Sequence, residues 1–196
     1  MPERGAPDPL YVAARRVLLD ALEALGAQRQ AAILVGAHAV YLRVGEGDLA
    51  TTPHTTDADL ALDPSLLGGD PLLDEALVAA GFWARVGTSG PVVGSWVTEQ
   101  TVEGRALHVD LDLLVPEAVS GDGRRAARLG VQGDRLARKA FGLELALVDN
   151  DVMSVGALDA DLQIVVTPKP RSRDHATLRV TGRSRSPRSG DVARAG

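Results

Sequence analysis

The sequence predicts a mixed α/β (α+β) fold in which helices pack against a central mixed β-sheet. In some segments the apolar residues recur at helical spacing, whereas in others they alternate with polar residues or form short apolar runs. These two kinds of segment follow one another along the chain, and antiparallel strands are expected to cluster after residue 82. The 196 residues, of which 45% are hydrophobic, suit one domain of ordinary size. We expect that domain to span residues 8–166.

The first element is a helix from Asp8 to Gly26. Aspartate caps a helix N-terminus, the proline that follows it fits the first turn, and glycine commonly ends a helix. The other expected elements are a buried strand at 31–35, a helix at 37–44, a polar loop at 45–56, a strand at 57–62, a helix at 71–80, strands at 82–86, 91–98 and 106–115, a loop or weak helix at 121–133, an apolar segment at 136–148 that fits helix or strand, and a strand at 162–166.

The chain from residue 167 onward is rich in Arg, Ser, Gly and Pro and has no apolar periodicity, so 167–196 is predicted to be a basic, disordered tail. This tail has a formal charge of +6, and the total is −5, so the remaining residues have a charge of −11. Nucleic-acid binding depends largely on contacts between basic residues and phosphates. A basic tail on an acidic body is therefore only weak evidence for nucleic-acid binding.

Several classes of protein are excluded by composition. The chain has no cysteine, which rules out disulfides, thiolate zinc sites and a cysteine nucleophile. No apolar run approaches the ~20 residues that span a bilayer, and residues 1–9 do not resemble a signal peptide. We therefore expect a soluble cytoplasmic protein without a membrane partner.

Two Asp-x-Asp pairs differ from the scattered charged residues expected on a protein surface. Asp57 and Asp59 lie on one predicted strand, and Asp110 and Asp112 lie on another together with His108. Residues two apart on a strand share a face, so each pair presents two neighbouring carboxylates. Converging carboxylates repel each other unless a cation compensates them, and Mg²⁺ prefers such oxygen ligands. The alternative is a set of solvated acids at a sheet edge.

A glycine turn lies upstream of the first pair. The predicted strand 31–35 runs into Gly36 and Ala37, which open a helix. Backbone N–H groups at such a turn are suited to bind phosphate oxygens. His38 follows the turn and is expected more as a capped or partly buried residue than as a phosphate contact.

Together these residues resemble the nucleotidyltransferase superfamily that includes DNA polymerase beta, and most of all its AbiEii-type stand-alone bacterial members. The family pattern is an apolar strand, Gly-Gly or Gly-Ser, a short helix, Asp-x-Asp and a third acid on a later strand. Here it reads Gly36-Ala37, Asp57-Ala58-Asp59 and Asp112-Leu113-Leu114-Val115-Pro116. Usable motifs cover residues 31–117.

The resemblance implies a nucleotidyltransferase-like fold that transfers a nucleoside monophosphate from a nucleoside triphosphate to an acceptor. It implies Mg²⁺ or Mn²⁺ held by Asp57, Asp59 and Asp112, with Asp110 as a helper or alternative ligand and Asp112 as a general base. The phosphate-binding residues it implies are Gly36, Ala37, Thr55 and Thr56. RNA is one candidate acceptor, and an antitoxin protein is a candidate partner.

Two other functions stay open. Ala37 replaces the usual second Gly or Ser, His54 replaces a usual Arg, and the basic tail replaces a helical part, which together favour a non-catalytic binding protein of the same fold. A His/Asp metal-dependent phosphohydrolase would use His108, but no His-Asp doublet completes such a site. The acidic body also has one basic cluster, which either steers RNA or pairs with the acidic surface: Arg124, Arg125, Arg128, Arg135, Arg138 and Lys139.

Overall fold

The computed structural model describes residues 7–44, 54–159, 162–164, 178–179 and 184–185. Its helices are α1 (Pro9–Ala24), α2 (Gly36–Val44), α3 (Leu73–Ala79) and α4 (Glu144–Val148). Its strands are β1 (Ala32–Val35), β2 (Asp57–Leu62), β3 (Trp83–Gly87), β4 (Gly90–Val102), β5 (Arg105–Pro116), β6 (Arg138–Ala140), β7 (Val155–Gly156), β8 (Leu162–Ile164), β9 (Leu178–Arg179) and β10 (Ser184–Arg185).

The main sheet is mixed and contains seven strands. Its order is β3-β4-β5-β2-β1-β9, and β6 also pairs with β5. The strand pairs β2–β5 and β5–β6 are parallel, whereas β3, β4 and β5 form an antiparallel meander. A second sheet joins β10, β8 and β7. The predicted mixed α/β fold with helices against a mixed sheet is confirmed.

Helix α1 covers one face of the main sheet. Asp8 caps it, because its Oδ1 atom accepts hydrogen bonds from the backbone N–H groups of Leu10 at 2.8 Å and Tyr11 at 3.2 Å. The apolar side of the helix packs with α3 and with the apolar face of β2 and β5 in one continuous core. Burial of this face, rather than helix propensity, is the main source of stability for such a helix.

The opposite face of the sheet has a smaller apolar cluster. Ile33, Val35, Ala61 and Leu114 pack there against Ala146 of α4. Because side chains alternate along a strand, the four aspartates of β2 and β5 share this second face with Ala61 and Leu114. The face is therefore apolar at the end that α4 contacts and acidic at the other end.

Most predicted elements agree with the structure, with shifts at the boundaries. The helix expected at 71–80 begins only at Leu73, and the segment 136–148 contains a strand as well as a helix, β6 and α4. Gly142 separates the two with a φ of +81°, which glycine adopts readily. Between residues 121 and 133 the chain is a loop apart from a single 3₁₀ turn at Gly130–Gln132.

Parts of three predicted segments lie outside the described residues. For the expected loop at 45–56 this applies to 45–53, and for the expected strand at 162–166 it applies to 165–166. For the expected tail at 167–196 it applies to all but residues 178–179 and 184–185. Those four residues form β9, paired antiparallel with β1, and β10, paired antiparallel with β8. Among the described helices, none has the length and hydropathy needed to cross a bilayer.

Candidate functional site

The parallel pairing of β2 and β5 places the two Asp-x-Asp pairs side by side. Asp57 lies opposite Asp110, and Asp59 lies opposite Asp112. All four side chains are intermediate in burial and share one sheet face. The sequence predicted a shared face within each strand, and the structure adds that the two strands are direct neighbours.

Asp59 is the carboxylate whose protonation is most affected by this arrangement. Burial raises its pKa, and the negative charges of Asp57 and Asp112 raise it further, to about 6, while Arg138 opposes the shift. Desolvation and like charge both disfavour the ionised form. The three aspartates named by the sequence pattern therefore interact electrostatically in the folded protein.

Gly36 is the residue that approaches Asp59 from the neighbouring strand. It ends the buried strand β1, opens α2 and has a φ of +69°, which L-residues rarely adopt. A Cβ atom added here would overlap the Asp59 Oδ2 atom and lie 3.0 Å from its Cγ atom. The predicted glycine turn and the first Asp-x-Asp pair thus lie together, with the first N–H groups of α2 beside the carboxylates.

The predicted phosphate-binding residues have different surroundings. Thr55 is buried, and its hydroxyl donates a hydrogen bond of 2.6 Å to the Asp57 Oδ1 atom. This hydrogen bond orients the Asp57 carboxylate. Thr56 is exposed, and Ala37 is partly buried behind Gly36.

His38 supports the strand from behind. Its side chain is 1% exposed, stacks on Tyr11 with ring centroids 5.1 Å apart, and hydrogen-bonds the backbone of Asp57. Burial is the main reason that the pKa of His38 is lowered to about 3, so the ring is neutral at neutral pH. Nearby, the Tyr41 hydroxyl donates to the His54 carbonyl oxygen at 2.9 Å. The expectation of a buried histidine is confirmed, and His38 and Tyr41 fix the backbone on either side of Thr55.

Two arginines that the sequence pattern did not single out pair with the second acidic strand. Arg138 of β6 donates a hydrogen bond of 2.6 Å from Nη2 to the Asp112 Oδ2 atom. Arg85 of β3 forms an ion pair with Asp110. Arg138 belongs to the basic cluster noted in the sequence, but its partner depends on strand order, which no local spacing reveals.

The donor chemistry of the acidic cluster fits a hard divalent cation, because the available ligands are carboxylate oxygens on adjacent strands. In the conformation shown, however, the described residues contain no group of three or more His, Cys, Asp or Glu side chains placed to hold a metal ion. Asp112 is turned toward Arg138 and Asp57 toward Thr55. A bound metal would therefore require side-chain movement of these aspartates, although each contact uses only one oxygen of its carboxylate.

The ring of His108, the residue on which the phosphohydrolase alternative depends, lies edge-on to Trp83, with centroids 5.5 Å apart.

Comparisons of the chain with protein-family models, with curated proteins and with solved structures found no match.

We expect the Asp59→Asn variant to be more stable than the wild type at neutral pH. The raised pKa means that the folded state binds a proton more tightly than the unfolded state, so wild-type stability falls as pH rises from about 4 to about 6. A shift of this size, reduced because the side chain is partly exposed, corresponds to ~2 kcal/mol. Asparagine carries no charge and avoids this loss.

Urea unfolding of the full chain between pH 4 and pH 8, without divalent metal, measures this difference. The variant's advantage should be absent near pH 4 and complete above about pH 7, whereas the matched Asp74→Asn variant, in the exposed first turn of α3, should follow the wild type. An Asp59→Asn advantage that does not change with pH would contradict the role of Asp59 ionisation.

Proposed function

We propose that the protein is a Mg²⁺- or Mn²⁺-dependent nucleotidyltransferase that moves a nucleoside monophosphate from a nucleoside triphosphate to an acceptor hydroxyl. One observation carries the proposal: Asp57 and Asp59 are in register with Asp110 and Asp112 on adjacent parallel strands, and Gly36 at the start of α2 approaches Asp59. This combination supports the nucleotidyltransferase-like fold that the sequence pattern implies, over residues 8–166.

The residues of the site would have separate roles in the reaction. Asp57, Asp59 and Asp112 would hold the metal, and Asp110 is the nearest alternative ligand because it is in register with Asp57. When bound, a divalent ion neutralises phosphate charge and stabilises the attacking and leaving oxygens of the displacement. The N–H groups that follow Gly36 would bind phosphate oxygens at the start of α2, which is a favourable place for negative charge.

Asp112 would accept the proton of the acceptor hydroxyl as that oxygen attacks the α-phosphorus. The bond between the α-phosphorus and the bridging oxygen then breaks, and pyrophosphate leaves. Thr55 keeps Asp57 oriented through its 2.6 Å hydrogen bond, and His38 holds the backbone of the same residue. RNA remains a candidate acceptor, and an antitoxin protein a candidate partner, on the basis of the resemblance alone.

A non-catalytic protein of the same fold is the second candidate. It is favoured by the ion pair of Asp112 with Arg138, because this contact gives Asp112 a protein partner in place of a metal. Such a protein would use the ion pair of Asp112 and Arg138 for structure.

Thermal unfolding with each of the four nucleoside triphosphates and Mg²⁺ separates the two candidates. A nucleotide at 100 times its Kd stabilises the native state by ~2.7 kcal/mol, which for a chain of this size raises the Tm by ~5–10 °C. We expect such a rise with at least one nucleotide and its loss in EDTA. No rise with any nucleotide would favour the non-catalytic candidate.

The nucleotides that raise the Tm are then supplied with total RNA and labelled at either the α- or the γ-phosphate. Nucleotidyl transfer places the α-label on the acceptor and releases the γ-label in pyrophosphate. Label from the γ-position on the acceptor would instead identify phosphoryl transfer and would contradict the proposal.

A further inference from the structure

A cleft lies where the strand that pairs with one edge of β5 changes from β4 to β6. From Ser95 to Val102, β4 pairs with β5, but at Leu114–Pro116 the partner is β6. The beginning of β4 and the turn that joins it to β3 therefore form a two-stranded ribbon that is not paired with β5. The space between this ribbon and the segment 124–139 forms a cleft of about 640 Å³, which is within the range of small-molecule and cofactor sites.

The cleft is lined by cations and hydrogen-bonding groups. Its lining includes the cations Arg124, Arg125, Arg138 and Lys139, together with Thr88 and Ser89 of the turn between β3 and β4. This is the main concentration of positive charge in a body whose formal charge is negative. Cations gathered in a concave surface focus a positive potential that attracts anions.

Most of these cations do not form ion pairs with acidic side chains. Among the described residues, no carboxylate lies within ion-pair distance of Arg124, Arg125 or Lys139, and Arg138 alone of the four pairs with an acid, Asp112. Lys139 donates to the Gly121 carbonyl oxygen. Of the two roles expected for the basic cluster, pairing with the acidic surface therefore accounts for one side chain in the cleft.

We propose that this cleft binds the phosphate groups of a phosphate-bearing ligand. Arg and Lys donate charge-assisted hydrogen bonds to phosphate oxygens, and arginine does so in bidentate fashion. Thr88 and Ser89, which line the same cleft, have hydroxyl groups that can act as neutral donors.

The position of the cleft identifies the ligand as the acceptor, a step that rests on the proposed function. Gly36 and the start of α2 lie against Asp59 on the β1 side of the acidic cluster. The cleft lies on the β6 side, and Arg138 connects it to Asp112, the residue assigned to the acceptor hydroxyl. The triphosphate and the acceptor would thus approach the aspartates from opposite sides, and the acceptor would carry a phosphate near its reactive hydroxyl.

The first experiment measures binding in EDTA, without any transfer reaction. The full chain is titrated into a fluorescein-labelled 12-nucleotide single-stranded RNA and, separately, inorganic tripolyphosphate is titrated into the chain by calorimetry. We expect the Arg124→Gln/Arg125→Gln variant to weaken binding at least about tenfold, because two charge-assisted contacts are lost. For RNA, the slope of log K against log salt should also fall by ~0.7 for each contact removed.

The same titrations include the single variants Arg124→Gln and Arg125→Gln, for which Arg105→Gln is the matched control. Arg105 is exposed like both arginines and begins β5, whereas β6 pairs with the end of that strand. It should bind like the wild type, and melting curves verify that all variants fold. Binding of RNA identifies a polynucleotide ligand, and binding of tripolyphosphate alone identifies a ligand whose phosphate groups are recognised without a polynucleotide chain. No binding of either, or equal loss in the control, would overturn the proposal.

A second measurement separates this proposal from the proposed function. If transfer occurs, Arg125→Gln should raise the KM for the acceptor at least about tenfold and leave the KM for the nucleotide within about twofold. The reverse pattern would overturn the assignment to the acceptor. Phosphate binding that depends on the cleft, in a protein without transfer activity, would uphold the cleft and refute the proposed function.

Discussion

Substitution of either Asp57 or Asp59 by asparagine is expected to abolish metal-dependent nucleotidyl transfer while the fold survives. Each change removes one anionic oxygen ligand and a charge that the divalent ion needs, so the positioned positive charge at the developing transition state is lost. Loss of a single preorganised electrostatic contact costs ~10²–10³-fold in kcat, and a metal ligand should cost at least as much.

The measurement is incorporation of α-labelled nucleotide at saturating Mg²⁺, with the variants matched for folded concentration. Asp74→Asn serves as the control, because that carboxylate lies in the first turn of α3 and makes the same change of charge outside the cluster. Asp59→Asn combines lost transfer with gained stability at neutral pH, a pairing that a merely misfolded variant does not produce. Equal transfer rates in the wild type and both variants would refute the proposed site.

Replacement of Gly94 by alanine is expected to cause the largest loss of stability, ~3–5 kcal/mol. Gly94 has a φ of +74°, and an added Cβ atom would overlap the backbone nitrogen of Arg138 and lie 2.7 Å from the Leu113 carbonyl oxygen. Both neighbours are backbone atoms of paired strands, so neither moves without disrupting the join between β5 and β6. The loss is a large fraction of the stability of a typical domain.

Gly104→Ala is the matched control for this prediction. Gly104 has a similar φ of +77°, in the turn between β4 and β5, but a Cβ atom there would meet nothing within 4 Å. The Gly104→Ala variant should lose only the stability that the unfavourable backbone conformation costs, ~1 kcal/mol. Urea unfolding at a fixed pH measures both, and losses of equal size would show that the close approach at Gly94 contributes nothing.

The local structure of the candidate site was accessible from the sequence. Polar–apolar alternation predicted the strand at 57–62 with the bounds that the structure has, and the glycine turn was predicted to join a buried strand to a helix. Both rest on short-range rules, namely side-chain alternation and the conformational freedom of Gly36.

The partners of the acids were not accessible in this way. That Asp57 lies beside Asp110 follows from the parallel pairing of β2 and β5, which depends on how the whole sheet is ordered. Likewise, Arg138 reaches Asp112 only because β6 pairs with β5 beyond the point where the pairing of β4 with β5 ends. Sequence periodicity specifies faces, whereas strand order is decided by tertiary packing.

The parallel pairing of β2 and β5 also has a consequence for how the chain folds. The turn between β4 and β5 is local, since Val102 already pairs with Arg105, whereas Asp57 must find Asp110 across more than fifty positions of chain. Local hairpins form early, whereas non-local parallel pairing is slow. We therefore expect the edge of β5 that pairs with β2 to be unpaired for part of the folding process. During that interval Asp110 and Asp112 are charged side chains on an unpaired strand, which discourages pairing with strands of other molecules. The aspartates proposed for catalysis would thus also protect the partly folded protein from aggregation.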